Sequence, residues 1–255
     1  WSGDMVKPRS ADAPQALDHY RIENLVGHVQ AILDHYGLSD AIILGHDWGG
    51  IILWHTVRML QSRSKAAISI STPHVGRAPV DPMAIFEKRF GSEHYFINFR
   101  DDPEGVEALF NSDPDAFFRM MFRSSPSGLT LTPELTHLPK RFANYLSRGA
   151  PDDGEMVVTP EQRAVYSEAY ARTGFLSGMN YYRNMTANWE LAKSLSTKIQ
   201  VPSLMISPED DFFLPPSSTN PMVETVPDLT RVIIPNCGHW AMWDKPDDVN
   251  AAILN

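Results

Sequence analysis

Short apolar runs alternate with longer amphipathic stretches in the first third of the chain. An apolar run at 41–44 is followed by helical spacing over 51–61 and by a second apolar run at 66–71. Upstream, apolar residues recur at helical spacing from Leu25 and stop at Gly37, a typical helix C-cap. Strand, helix and strand in this order predict a parallel sheet with right-handed crossovers. Further apolar runs at 202–207 and 231–234 predict two more strands.

The middle of the chain has helical patterns and no strand pattern up to Val201. Pro114 and Pro133 stand at predicted helix starts, and Thr159 with Gln162 has the spacing of a capping box. Such a block inside an α/β chain is typical of an inserted lid. We therefore predict a core formed by 1–75 and 196–255, with a helical lid at 76–195. Loops are predicted at 1–16 and 149–154, and a final helix at 247–254.

The turn between the first predicted strand and its helix has the sequence GHDWGG at 45–50. A small residue two positions before and two after the central residue is the pattern of a nucleophile elbow, G-x-Nu-x-G. We expect side chains at Gly45 or Gly49 to collide with the neighbouring strand or helix. The central residue is Asp47, where an esterase would have Ser. The plain alternative is an aspartate that only caps a helix after a glycine-rich turn.

An aspartate at the elbow selects a particular chemistry. Its carboxylate is already ionised at neutral pH, and a helix N-terminus further favours the charge. Such a nucleophile suits displacement at an sp³ carbon, which leaves an alkyl ester on the protein. Because that ester must be hydrolysed by an activated water, the chain should also supply a His and an orienting acid.

Composition and charge exclude several classes of function. The 255 residues are 43% hydrophobic, which is enough for one sizeable core with an insertion. The net charge is −9 and no run of Lys or Arg occurs, which argues against nucleic acid as a partner. No apolar stretch is long enough to span a membrane. Cys237 is the only cysteine, so no intrachain disulfide or cysteine-based metal site is expected. No His/Asp/Glu spacing indicates a metal, and we expect no cofactor and a reducing, cytoplasmic location.

An acid and a histidine follow the later predicted strands. Asp210 or Asp211 comes after the third strand and His239 after the fourth, which gives the order nucleophile, acid, base. This is the order of α/β-hydrolases, and open α/β sheets carry their sites at these strand ends. The fold class predicted is thus an α/β-hydrolase fold with an inserted helical lid. Since an elbow normally follows several earlier strands, we expect the early strands to be missing and the chain to be a piece of a longer protein.

Motifs along nearly the whole chain resemble those of the soluble epoxide hydrolases, especially plant and bacterial members. The matching pieces are GHDWGG (45–50), TPH (72–74), FGSEHYFINFR (90–100), NYYRNMTANWEL (180–191), PEDDFF (208–213) and CGHWAMWDKP (237–246). The resemblance implies hydrolysis of a small epoxide by water to a vicinal diol, without a cofactor. A homodimer is possible.

The resemblance also implies a role for each matched residue. Asp47 is the nucleophile and His239 the base, and alignment on DDFF makes Asp211 the charge-relay acid. Tyr95 and Tyr182, both in the lid, hydrogen-bond the epoxide oxygen, as phenols can donate to an alkoxide while it forms. The neighbouring Tyr181 is expected to pack in the lid.

Trp48 and one missing motif keep two alternatives open. The family uses the Trp48 backbone N–H in the oxyanion hole, whereas haloalkane dehalogenases, which also have an Asp-Trp elbow, use the indole to hold a halide. Those enzymes do not require the lid tyrosine pair. The family's His-Gly-x-Pro motif does not occur in this sequence, so a hydrolase-like binding module without turnover is the other alternative. We interpret His46, His74 and His94 as supporting or structural residues, and the glycosylation sequon at Asn184 as chance.

Overall fold

The computed structural model describes residues 16–148 and 154–255. The loops predicted at 1–16 and 149–154 therefore lie outside the described residues, apart from Ala16 and Gly154.

Strands and helices follow each other much as the apolar pattern predicts. The strands are β1 (Ala41–His46), β2 (Ser64–Ile70), β3 (Ser203–Pro208) and β4 (Leu229–Ile234). The α-helices are α1 (Ile22–His35), α2 (Trp48–Met59), α3 (Pro82–Phe90), α4 (Tyr95–Asp101), α5 (Pro103–Asn111), α6 (Pro114–Met121), α7 (Pro133–Thr136), α8 (Leu138–Arg148), α9 (Pro160–Thr173), α10 (Leu176–Arg183), α11 (Met185–Leu191), α12 (Met222–Thr225), α13 (Ala241–Asp244) and α14 (Pro246–Leu254). Short 3-10 turns lie at Leu17–Tyr20, Gln61–Arg63, Ala192–Ser194 and Pro216–Thr219.

The four strands form one parallel sheet in the order β1-β2-β3-β4. Leu44 pairs with Ile68, Ile68 with Leu204, and Ile206 with Val232. The predicted parallel sheet is confirmed. Because all strands run in one direction, their carboxyl ends meet at one edge, and the residues that follow β1, β3 and β4 are brought together there.

The two faces of the sheet are covered to different degrees. On one face, Leu53 and Trp54 of α2 pack with Met205 of β3 in a fully buried apolar cluster. On the other, α14 covers the β3–β4 side, but Ile42 and Leu44 of β1 remain 55% and 51% exposed. We call this uncovered part, centred on Ile42 and Leu44, the open sheet face.

The described chain divides into two compact units. The sheet unit consists of Ile22–Pro79, Ser124–Thr130 and Trp189–Asn255. The helical unit consists of the described residues 16–21, 80–123, 131–148 and 154–188. The predicted lid, 76–195, stays a prediction as a functional domain. The segment Ser124–Thr130 lies within its bounds but clusters with the sheet unit.

The helical unit is built around aromatic side chains. Phe110 lies 4.6 Å from Phe117 and 5.7 Å from Phe142, measured between ring centroids, and Phe117 lies 4.7 Å from Phe175. Helix α9 begins with the predicted capping box, in which the Gln162 backbone N–H donates to the Thr159 hydroxyl and the Gln162 side chain accepts from the Thr159 backbone.

Among the residues described, no helix combines the length and apolar composition that a membrane crossing requires.

Candidate active site

A strained residue joins β1 to α2. Asp47 lies between the last residue of β1, His46, and the first of α2, Trp48, with φ 53° and ψ −121°. Positive φ is unfavourable for a residue with a Cβ and costs on the order of 1–3 kcal/mol. The conformation is held by the start of the helix, since the Gly50 and Ile51 backbone N–H groups donate to the Asp47 carbonyl at 2.9 and 3.2 Å. The carboxylate is thereby projected from the turn rather than along a strand.

The glycines of the turn are needed at two positions, and one prediction about them was wrong. A Cβ on Gly45 would lie 2.1 Å from the Gly49 carbonyl oxygen, so only glycine fits there. A Cβ on Gly49 would meet nothing within 4 Å, so the predicted collision at Gly49 does not occur. The close approach is instead at Gly50, where a Cβ would lie 2.6 Å from the Thr72 Cβ. Helix α2 starts against the end of β2, and this brings Gly50 rather than Gly49 into contact.

Three side chains of the sheet unit converge after β1, β3 and β4. His239 Nδ1 donates to Asp211 Oδ2 at 2.7 Å, and His239 Nε2 lies 3.5 Å from Asp47 Oδ2. Asp210 does not take part, because its Oδ1 accepts a hydrogen bond from the Gly128 backbone at 3.2 Å. Of the two acids that the sequence left open, Asp211 is the one that contacts the histidine.

The position of Asp211 is fixed by its own backbone turn. Its Oδ1 accepts hydrogen bonds from the backbone N–H groups of Phe213 and Leu214 at 3.1 and 3.0 Å, and its side chain has no exposed surface. Oδ2 is therefore left to face His239. Burial alone would raise the pKa of Asp211, but the charge and hydrogen bond of His239 outweigh it and lower the pKa.

The charges of the three groups are strongly linked. Burial acts to lower the pKa of His239, yet the carboxylates of Asp211 and Asp47 outweigh it and raise the pKa to about 10. Burial likewise acts to raise the pKa of Asp47, but hydrogen bonding and charge from His239 bring it down to about 2. The backbone N–H of Trp48 also lowers the pKa of Asp47. At neutral pH the site is thus a histidine cation between two carboxylates.

His46 is a supporting residue of this site. Its Nε2–H donates to the backbone carbonyl of His239 at 2.8 Å, and the two rings lie 4.6 Å apart. Burial and the nearby charge of His239 lower the pKa of His46 to about 4, so it is neutral at pH 7 and adds no second cation. The sequence indicated only that His46 is supporting or structural, because its contact is with a backbone atom 193 residues away.

The two predicted lid tyrosines lie together in the helical unit. Tyr95 is the first residue of α4, Tyr182 lies in α10, and their ring centroids are 5.4 Å apart at 72°. Tyr181 packs against Tyr20 instead, with centroids 5.3 Å apart. Both rings of the Tyr95–Tyr182 pair are half-buried.

Other candidate residues of the sequence have structural contacts. His74 donates from Nε2 to the Thr197 backbone carbonyl at 2.9 Å, and His94 caps α4 by accepting from the Phe96 N–H. The Asn184 side chain is buried and donates to the Leu17 and Asn180 carbonyls, which makes it a poor glycosylation acceptor. Across 16–148 and 154–255, no group of His, Cys, Asp and Glu side chains could hold a metal ion.

The chain is similar to one protein family and to several known proteins. The family model for the alpha/beta hydrolase fold matches residues 3–246. The chain is 32% identical to Epoxide hydrolase A of Mycobacterium tuberculosis, over 94% of this chain and 76% of that protein. It is 31% identical to Bifunctional epoxide hydrolase 2 of Sus scrofa over 98% of this chain, and it spans 45% of that relative's length. The crystal structure of Epoxide Hydrolase A from Mycobacterium thermoresistibile superposes with a TM-score of 0.80 at 28% identity, covering 95% of this chain and 76% of that one.

Proposed function

We propose that the chain hydrolyses epoxides to vicinal diols through an ester on Asp47. The premise is that the chain belongs to the alpha/beta hydrolase fold family and, within it, to the epoxide hydrolases. The observation that carries the proposal is the arrangement of His239, hydrogen-bonded to Asp211 and 3.5 Å from the Asp47 carboxylate. An ionised carboxylate at a nucleophile elbow, beside a histidine with a relay acid, is suited to forming an alkyl ester and then cleaving it.

The first step is alkylation of Asp47. A carboxylate oxygen of Asp47 attacks one epoxide carbon, the bond from that carbon to the epoxide oxygen breaks, and the oxygen takes a proton. By family resemblance the donors are the hydroxyls of Tyr95 and Tyr182. Two donors aimed at one developing alkoxide act as an oxyanion hole does, because they stabilise charge that is present only as the ring opens.

The second step is hydrolysis of the ester. Alkylation removes the charge of Asp47, and that charge is one of the groups that raise the pKa of His239. The histidine therefore gives up a proton more readily once the ester exists. That proton, carried by solvent, restores the tyrosine that protonated the epoxide oxygen. Neutral His239, oriented by Asp211, then takes a proton from the water that attacks the ester carbonyl, and the diol leaves as Asp47 is regenerated.

The test separates epoxide hydrolysis from the two alternatives. The His239→Gln protein is incubated with styrene oxide or with 1-bromobutane and examined by intact-mass and peptide mass spectrometry. Because His239 is needed only to break the ester, we expect a mass increase equal to styrene oxide, on the peptide that holds Asp47. The Asp47→Asn protein of nearly equal shape is the control and should gain no mass.

Each other outcome has a definite meaning. Alkylation by 1-bromobutane alone would assign the chain to halide displacement. Absence of any adduct with either compound would favour a binding module without turnover. An unmodified His239→Gln protein that still forms diol would contradict the two-step scheme, since water would then attack the epoxide directly.

A further inference from the structure

The turn that follows β2 is strained and buried next to the nucleophile. Ser71 has φ 67°, a left-handed conformation that a residue with a Cβ avoids. It is held on both sides, because the Thr72 N–H donates to the Ile70 carbonyl at 2.8 Å and the Ser71 N–H to the Ile206 carbonyl of β3 at 2.9 Å. Thr72, which follows the strained residue, is only 5% exposed.

The hydroxyl and the backbone carbonyl of Thr72 both form hydrogen bonds. The Thr72 hydroxyl donates to the backbone carbonyl of Asp47 at 2.8 Å. The Thr72 carbonyl accepts from the Ser69 hydroxyl at 2.6 Å and from the Trp54 indole N–H at 3.0 Å. Thr72 is therefore anchored to β2 and to α2, and from this fixed position it holds the peptide of the nucleophile.

The absence of a side chain on Gly50 allows this contact. A Cβ there would lie 2.6 Å from the Thr72 Cβ and 3.0 Å from its Oγ1, so the first turn of α2 reaches Thr72 only because residue 50 is glycine. Asp47 otherwise has two helical N–H groups bonded to its carbonyl, at the start of a helix where hydrogen bonds readily fray. The threonine hydroxyl adds a partner from a neighbouring strand end.

We propose that Thr72 is a positioning residue for the nucleophile: its hydroxyl holds the Asp47 carbonyl and so keeps the peptide in the strained conformation that projects the carboxylate. The inference rests on the proposed function, because it assigns a step to Asp47. Displacement reactions depend steeply on the distance and angle of the attacking oxygen, so loosening this peptide lowers the rate of alkylation without removing any reacting group.

The rate of ester formation tests the inference. In the His239→Gln background, where the ester accumulates, the adduct with styrene oxide is timed by intact-mass spectrometry over a range of epoxide concentrations. Thr72→Val and Thr72→Ala, which both remove the hydroxyl, should lower the maximal rate roughly three- to tenfold, the factor that corresponds to one neutral hydrogen bond. Thr72→Ser, which keeps the donor, should stay within about twofold of the parent. The epoxide concentration at half-maximal rate should not change.

A matched control comes from helix α2. The Thr56 hydroxyl is fully buried and donates to the Ile52 carbonyl at 2.8 Å, the same kind of bond as that of Thr72 but without contact to Asp47. Thr56→Val should cost similar stability in chemical denaturation and leave the alkylation rate unchanged. Thr72→Ala keeps the test usable if the extra methyl of Thr72→Val prevents folding.

The failure of this inference is distinguishable from that of the proposed function. If the His239→Gln protein with native Thr72 gains no mass, the proposed function fails. If it gains mass and Thr72→Val and Thr72→Ala gain mass equally fast, the positioning role is wrong. A loss of rate in Thr56→Val as large as in Thr72→Val would also overturn the inference, because the effect would then come from stability alone.

Discussion

Replacing Asp211 with Asn tests whether this carboxylate, the proposed relay acid, orients His239, the proposed base. In the native protein Oδ1 of Asp211 accepts two backbone N–H groups and Oδ2 accepts from His239. The Asn oxygen must keep the backbone partners, so its NH₂ group takes the place that faces His239 Nδ1. The imidazole then has to accept at Nδ1 and carry its proton on Nε2, the nitrogen that faces Asp47. A base with a proton already on its working nitrogen cannot activate water.

The substitution should slow the second step, hydrolysis of the ester, far more than the first step, alkylation of Asp47. By comparison with an acid-to-amide change in a catalytic triad, hydrolysis of the ester should slow by about 10⁴-fold. Alkylation uses Asp47 directly and should change far less. The assay is rapid mixing with styrene oxide and quenching at set times, followed by intact-mass measurement of the fraction of protein that carries the ester.

The same substitution changes stability in a defined pH window. Removing one charged hydrogen bond to a fully buried carboxylate should lower the free energy of unfolding by about 1.5–3 kcal/mol. The raised pKa of His239 stabilises the folded state fully below its ordinary value of 6.5, and this contribution is lost as the pH rises through about 10. The lowered pKa of Asp211 stabilises only above its ordinary 3.8. The difference in free energy of unfolding between the native and the Asp211→Asn protein should therefore be greatest between roughly pH 4 and 6.5 and shrink toward pH 10.

The neighbouring acid is the control. Asp210→Asn keeps an oxygen that can accept from Gly128, and Asp210 has no contact with His239, so the lifetime of the ester should stay within about threefold of native. The reasoning is refuted if Asp211→Asn hydrolyses the ester at the native rate, or if Asp210→Asn is the variant in which the ester accumulates.

Three further outcomes are expected. Gly45→Ala should prevent the elbow from forming, because the new Cβ would lie 2.1 Å from the Gly49 carbonyl oxygen. Gly49→Ala, whose Cβ meets nothing within 4 Å, should fold and melt as the native protein does. Melting curves followed by circular dichroism test both expectations. Tyr95→Phe and Tyr182→Phe should each slow adduct formation in the His239→Gln background by about 10²-fold without abolishing it, and a native rate in both would remove the tyrosines from the scheme. The open sheet face should promote concentration-dependent association, measured by light scattering, and Leu44→Lys should reduce it; a monodisperse native sample at high concentration would contradict this.

The strands and the turn of the site could be predicted because their cause is local. Strands buried in a parallel sheet are continuous apolar runs, and β1 to β4 lie at the four runs within a few residues of the predicted ends. The elbow requires glycine at position 45 for a steric reason that acts within six residues of chain. Such features are specified by the segment itself.

The choice between Asp210 and Asp211 could not be made from the strand pattern. Both follow the same strand. Asp210 accepts from the Gly128 backbone, whereas the turn at Phe213 fixes Asp211 so that it faces His239. The backbone partner of His46 and the clustering of Ser124–Thr130 with the sheet unit could not be predicted for the same reason. Contacts to backbone atoms far along the chain leave no periodic signal in the sequence.

The positions of Asp47, Asp211 and His239 at separate strand ends also have a consequence for how the protein folds. Pairing β2 with β3 requires closing a loop that contains the whole helical insertion, and His239 meets the elbow across 193 residues from His46. Contacts of such sequence separation form slowly because chain entropy must be lost before any of them is gained. The backbone hydrogen bonds of a helix join residues only four apart, so the helices of the insertion can form before the sheet is complete. The proposed hydrolysis of epoxides should therefore return after most of the helical signal during refolding, so that this activity reports on the completion of the sheet.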